Sequence, residues 1–202
     1  METIVCDWSS IHRHGSLWYD HLKLRKAAFV DQQGWDVPHT VDVEWDQYDT
    51  PLTQYVITHE AGRVLAASRV FPCSYSGPNF SYMIRDATLG RLPNIPQNII
   101  PVACTSTKSF EATRFTVDLT LARRLRTNAL KENAIRLMEH CAGQGAVHVF
   151  ALMPPGFVAW LRRAGLNARA AGPVVTNSQG EAFCVIECRR PFFKGANLAL
   201  SA

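Results

Sequence analysis

The sequence has neither a GxGxxG nor a GxxxxGK[ST] stretch, so a glycine-backbone cradle for a dinucleotide or a nucleotide phosphate is not indicated. A GxSxG elbow is missing as well, and none of the six cysteines stands in the local signature of a cysteine nucleophile. No CxxC pair and no Cys/His grouping has zinc-like spacing, so no metal is expected. Cys6, Cys73, Cys104, Cys141, Cys184 and Cys188 are scattered, with only the last two close, and free thiols in a reducing compartment are the expectation. No run approaches about 18 uninterrupted apolar residues, which excludes an expected membrane span. The opening METIVCDWSS carries an early acid and no basic stretch leading into an apolar one, so a secretory leader is not expected and the cytoplasm is the default location. A large charge surplus is also lacking, with 21 Lys+Arg against 17 Asp+Glu and a net charge of +4. Without a helix-turn-helix, a finger or a basic-aromatic alternation, no nucleic-acid partner is expected.

What is present points to a folded α/β protein. At 202 residues and 47% hydrophobic content, the chain suffices for one domain over 1–202 with a substantial core. ETIVC suits a short strand, and a helix is expected from Ser16, as N-cap, to about Gln33. QYVITHE and RVLAASRVFP read as a hairpin turning at Glu60-Ala61-Gly62. Residues 73–107, with four prolines, read as a long surface loop holding a short helix at SYMIRDAT. KSFEATRFTV is a strand, after which Asp118 or Thr120 can cap a helix to about Ala142. GAVHVFALM, then PPGFVAWLRRAG, then EAFCVIECR give strand, helix and strand. The plan is one three-layer domain, a sheet covered by helices.

Chemistry concentrates between Arg25 and Asp49, RKAAFVDQQGWDVPHTVDVEWDQYD, which combines a fixed cation, aromatic rings and six carboxylates. Gly34 and Pro38 break its helical period, and rings and acids on irregular backbone suit a pocket for a cation-bearing small molecule. An amphipathic helix followed by a solvated acidic loop is the plainer reading. Asp46 and Asp49, three apart, reach the same side of a turn, and Arg69 in ASRVF can reach the same sheet end. Glu111 and Arg114 in FEATRF point to opposite faces of a regular strand and converge only if it bulges or the side chains reach around its edge. Structural ion pairs are the alternative for each. His148, in a buried-type strand, reads as a satisfied core histidine.

Taken in order, these residues resemble the acyl-homoserine-lactone synthases, the bacterial autoinducer synthases. Arg25, Phe29 and Trp35 stand in R-x3-F-x5-W, Asp46 and Asp49 in D-x2-D, Arg69 in ASRVFP, and Glu111 and Arg114 in E-x2-R. The resemblance runs from about residue 20 to about 166. It implies a fold similar to the N-acetyltransferases, a central mixed sheet flanked by helices, and a reaction joining S-adenosylmethionine to an acyl chain from acyl carrier protein or acyl-CoA. The products it implies are N-acyl-homoserine lactone, 5′-methylthioadenosine and the free carrier. On this resemblance Glu111, Arg114, Asp46 and Asp49 are the catalytic set, Glu111 being the base and Arg114 orienting it. Arg25, Phe29, Trp35 and Arg69 would hold S-adenosylmethionine, Thr113 and Met153 would line the acyl pocket, and Arg123, Arg124 and Lys131 would dock the acidic carrier. Trp45, Tyr48, Asp31, Asp36, Asp42 and Glu44 fall back to scaffold or surface.

Two departures bear on substrate. Members preferring 3-oxo chains carry a threonine where FALMPPG places Met153 and Pro154, so an unsubstituted or 3-hydroxy chain is expected. Residues 91–107 are longer than the family's usual spacing. Rival readings are an acetyl-CoA-dependent N-acetyltransferase and a non-catalytic ligand-binding module. The first needs a glycine-bearing pyrophosphate loop, and DLTLARRLRTNAL has no glycine. The second does not explain why the whole polar set is intact.

Overall fold

The hairpin expected from QYVITHE and RVLAASRVFP forms because each run carries an apolar stretch, residues 55–57 and 64–67, and a two-residue turn joins them. Ala61 and Gly62 both have positive φ (48° and 81°), the backbone twist that suits a tight hairpin. In the computed structural model, which describes residues 1–177 and 180–195, eight strands follow the order β1-β2-β3-β4-β5-β8-β6, with β7 pairing β8. The chain divides into two compact units, Met1–Phe71 with Ala112–His140, and Pro72–Glu111 with the chain from Cys141 onward.

In the first unit, β1 (Glu2–Cys6) pairs antiparallel with β2 (Gln54–Glu60), and β2 with β3 (Arg63–Pro72). The later part of β4 (Ser109–Val117) belongs to this unit. Alternate residues of β2 face opposite ways. Tyr55 and Ile57, with Cys6 and Val64, pack under α1 (Leu17–Arg25) through Leu17, Trp18 and Leu24. Val56 and Thr58 face α3 (Arg123–Gly143), where the buried Asn133 side chain donates to Val56 O (3.0 Å) and Thr58 Oγ1 (3.2 Å) and accepts from Ser68 (2.6 Å). Both faces are therefore covered, which is why successive residues from Tyr55 to Thr58 are all buried.

In the second unit, residues 109–111 of β4 pair parallel with β5 (His148–Met153), and β5 pairs antiparallel with β8 (Ala182–Phe193). β6 (Leu166–Ala170) and β7 (Val175–Thr176) also pair with β8. α2 (Met83–Thr88) and α4 (Gly156–Arg163) complete it. Parallel and antiparallel pairs make this the mixed sheet that the resemblance implies. All six cysteines are free thiols.

Several expectations need correction. The helix from Ser16 does not stay α-helical to Gln33, because Lys26–Gln32 is a π-helix. α3 begins at Arg123, and Asp118 instead closes a turn, its Oδ1 accepting the Thr120 N–H (2.9 Å) and hydroxyl (2.7 Å) while Oδ2 takes Arg63. β6 and β7 were not anticipated, being short and only partly apolar. Within residues 73–107 the expected short helix is present as α2, but the remainder is not all surface loop, for it holds a 3-10 turn, Gln97–Ile99, whose Ile99 is fully buried. The backbone of Ile99 lies so near Gly172 that a Cβ there would stand 1.9 Å from the Ile99 carbonyl oxygen. His148 is half-buried rather than core, and its Nδ1 meets Glu187 Oε1 at 2.5 Å.

Candidate active site

The π-helix that follows α1 widens the turn and re-aims its side chains. At its end Gly34 takes a positive φ (66°), and the Trp35 N–H donates back to Phe29 O (2.8 Å). That reversal lays Trp35 on Phe29, with centroids 4.9 Å apart and planes 16° apart. Arg114 covers Phe29 at 5.2 Å.

The D-x2-D pair converges through its own turn. Asp49 N–H donates to Asp46 O (3.0 Å), Asp46 N–H to Asp49 Oδ2 (2.9 Å), and Tyr48 N–H to Asp46 Oδ1 (2.9 Å). Arg25, one turn before Phe29, grips Asp49 with both terminal nitrogens (2.8 and 2.9 Å) and Glu44 with Nε (2.5 Å). Arg69 grips Asp46 (2.5 and 3.1 Å), contacts Asp49 Oδ2 (3.0 Å) and donates to Thr113 Oγ1 (2.9 Å). Arg114 reaches Glu44 (2.9 Å) and Asp46 (2.7 Å). Its φ of 55° marks the break in β4 that this requires. Three guanidiniums thus face three carboxylates, and Arg25, Arg69, Glu44, Asp46 and Asp49 are all buried.

Such a set persists only when fully matched, because the cost of removing each charge from water must be met by its partners. Burial alone would raise the Asp49 carboxyl, yet Arg69 and Arg25 hold it well below the ordinary carboxylate range. Asp46 is likewise lowered by Arg69 and Arg114 against its burial. Beside them, burial and then Arg25 push His21 down to about 3, so its ring is neutral.

The other expected residues lie as follows. Thr113 is buried and tied to Arg69. In the second unit Glu111 is 1% exposed, and its two oxygens accept the Met83 N–H (2.8 Å) and Ile84 N–H (2.7 Å) at the start of α2. Met153 ends β5 and is buried. Arg123, Arg124 and Lys131 are exposed along α3. Among the described residues no group of three His, Cys, Asp or Glu side chains could hold a metal ion.

A family model described as autoinducer synthase matches residues 10–187. The chain belongs to the autoinducer synthase family. It is 27% identical over 161 residues to an acyl-homoserine-lactone synthase of Acinetobacter nosocomialis, covering 75% of this chain and 81% of that one. A second, from Pseudomonas fluorescens, is 28% identical over 111 residues, and the match spans about half of either chain (48%). Among solved structures, the coenzyme A-dependent acyl-homoserine lactone synthase BjaI, determined with S-adenosylmethionine and isopentyl-CoA, superposes with a TM-score of 0.72 at 18% identity. That match covers 92% of this chain and 81% of BjaI and speaks to the fold.

In this autoinducer synthase, Glu44 is the residue that sequence reasoning set aside. It is fully buried and joins Arg25 to Arg114. One signal was available: in an extended segment, residues two apart share a face, which puts Glu44 beside Asp46.

Proposed function

We propose that this autoinducer synthase acylates the amine of S-adenosylmethionine from an acyl carrier and then closes the lactone, releasing 5′-methylthioadenosine. The observation that carries this reading is the buried, charge-matched assembly of Arg25, Glu44, Asp46, Asp49, Arg69 and Arg114 beside the stacked Phe29 and Trp35. With its acids already matched by arginines, the assembly favours a cationic ligand through ring faces as much as through free carboxylate charge. Phe29 and Trp35 pack on the ligand, Arg25 and Arg69 keep Asp46 and Asp49 in place toward its amine and sulfonium, and Arg114 braces Glu44 and Asp46.

Acylation begins when Glu111, directly or through water, takes a proton from the amine. The nitrogen attacks the thioester carbonyl, the C–S bond breaks, and the carrier thiol leaves with a proton. The ligand's own carboxylate then attacks the carbon bearing the sulfonium. That C–S bond breaks onto sulfur, and neutral 5′-methylthioadenosine departs. Holding the chain curled favours this closure.

The exposed Arg123, Arg124 and Lys131 fit an acidic acyl carrier protein as donor, while BjaI, solved with isopentyl-CoA, shows why acyl-CoA must be tested beside it. Thr113 and Met153 take the acyl chain, which is unsubstituted or 3-hydroxylated. The two units act as one synthase domain, and its free thiols suit a cytoplasmic enzyme. Incubation with S-adenosylmethionine and a panel of acyl carriers, read by mass spectrometry, tests the reading. Methylthioadenosine and lactone are expected, and no methylthioadenosine with any donor refutes it.

A further inference from the structure

We propose that Tyr55 is a positioning residue for S-adenosylmethionine, acting through Asp49. The proposal rests on the reading of the site given above. Tyr55 is the cross-strand partner of Arg69 in the β2–β3 pair, so both side chains leave the same face of the sheet. Its residue is fully buried, and its hydroxyl lies 3.1 Å from Asp49 Oδ1, the oxygen that also takes Arg25 Nη1 at 2.8 Å. The ring is walled by His21 at 4.8 Å and Trp18 at 6.1 Å, which denies the phenol another rotamer.

Chemistry gives this bond one direction. An ionised carboxylate only accepts and a phenol can donate, so Tyr55 gives its single proton to Asp49, the acid shared by Arg25 and Arg69. A hydroxyl aimed at one oxygen fixes the tilt of the Asp49 carboxylate, and with it the plane of both guanidiniums. None of the acids and arginines needs Tyr55 for charge balance, so its hydroxyl serves orientation.

Tyr55→Phe removes the hydroxyl and keeps the ring. Calorimetric titration of S-adenosylmethionine and steady-state methylthioadenosine release are measured on wild type and Tyr55→Phe. Tyr55→Phe is expected to raise both Kd and KM for S-adenosylmethionine about tenfold, the scale of one hydrogen bond to a charged group, with kcat nearly unchanged. Unchanged Kd and KM in folded Tyr55→Phe overturn the proposal. Should Tyr55→Phe fail to fold, 3-fluorotyrosine at position 55, a stronger donor of the same shape, is expected to lower Kd, and an unchanged Kd there overturns it. A wild type that neither binds S-adenosylmethionine nor releases methylthioadenosine refutes the reading of the site itself, and this inference with it.

Discussion

Arg114 and Glu44, seventy positions apart in sequence, meet through contacts of 2.9 and 3.2 Å because β4 leaves the extended range at Arg114. The same Glu44 takes Arg25 Nε at 2.5 Å, so one carboxylate joins α1 to β4. Glu44→Gln keeps the volume and removes the charge from between two guanidiniums. A loss of about 3–5 kcal/mol is expected, the scale for breaking a buried pair from one side. Chemical denaturation measures it, and a loss below about 1 kcal/mol would show that water or neighbouring acids replace Glu44.

Glu111→Gln separates chemistry from binding. The amide cannot take the amine's proton, so turnover with saturating donor should fall by at least about a hundredfold, within the usual range for a general base. It also has one acceptor oxygen where Glu111 has two, which leaves either the Met83 or the Ile84 N–H without its partner. A modest drop in thermal midpoint should therefore accompany the kinetic defect, while the Kd for S-adenosylmethionine stays near wild type. Normal turnover would remove Glu111 from the role of base.

His21 gives the protein a defined response to pH. Its folded-state value, about 3, lies below the ordinary histidine value near 6.5 because of burial and Arg25. Its contribution is therefore complete above about pH 6.5 and declines as pH falls, since only the unfolded chain takes up the proton. Between pH 7.5 and 5.5 that decline is on the order of 1 kcal/mol. His21→Phe keeps a ring against Tyr55 and should flatten the stability profile by this amount, as read by denaturant midpoints at the two pH values. Identical slopes in both proteins would exclude the assignment. Asp46 and Asp49, lowered in the fold, add stability above about pH 4 that fades on further acidification through their depressed values.

Much of this was legible beforehand, for physical reasons. The Arg25, Phe29 and Trp35 spacing and the Asp46–Asp49 turn are local, and the β2–β3 hairpin declares itself by the apolar stretches at residues 55–57 and 64–67 on either side of a turn signal. Arg69 could be placed at the same sheet end because a hairpin carries its register with it. Three things were not legible. The π-helix has no pattern that distinguishes it from the α-helix before it, apart from the Gly34 stop. The burial of Glu44 depends on Arg114, whose approach depends on a backbone break that no residue type announces, since arginine rarely adopts positive φ. The packing of residues 97–101 is set by Gly172, far along the chain, and only the absence of a side chain there permits it.

Carrier recognition has its own test. Charge reversal at Arg123 and Arg124, both exposed at the start of α3, should raise KM for acyl carrier protein about tenfold or more while leaving KM for acyl-CoA within error. Raising the salt concentration should reproduce part of the effect in wild type. An unchanged KM for the carrier places docking elsewhere.

The π-helix at Lys26–Gln32 makes the chain's length between Arg25 and Trp35 part of its chemistry. Removing a single residue there would let ordinary α-helical hydrogen bonding resume, and every later side chain would rotate by about 100°. Phe29 would swing out from beneath Arg114, and Trp35 would lose the ring on which it lies. Point substitutions are therefore the tolerated currency of variation in this segment, whereas a one-residue deletion would abolish the aromatic wall at a stroke with every side chain of the motif still encoded.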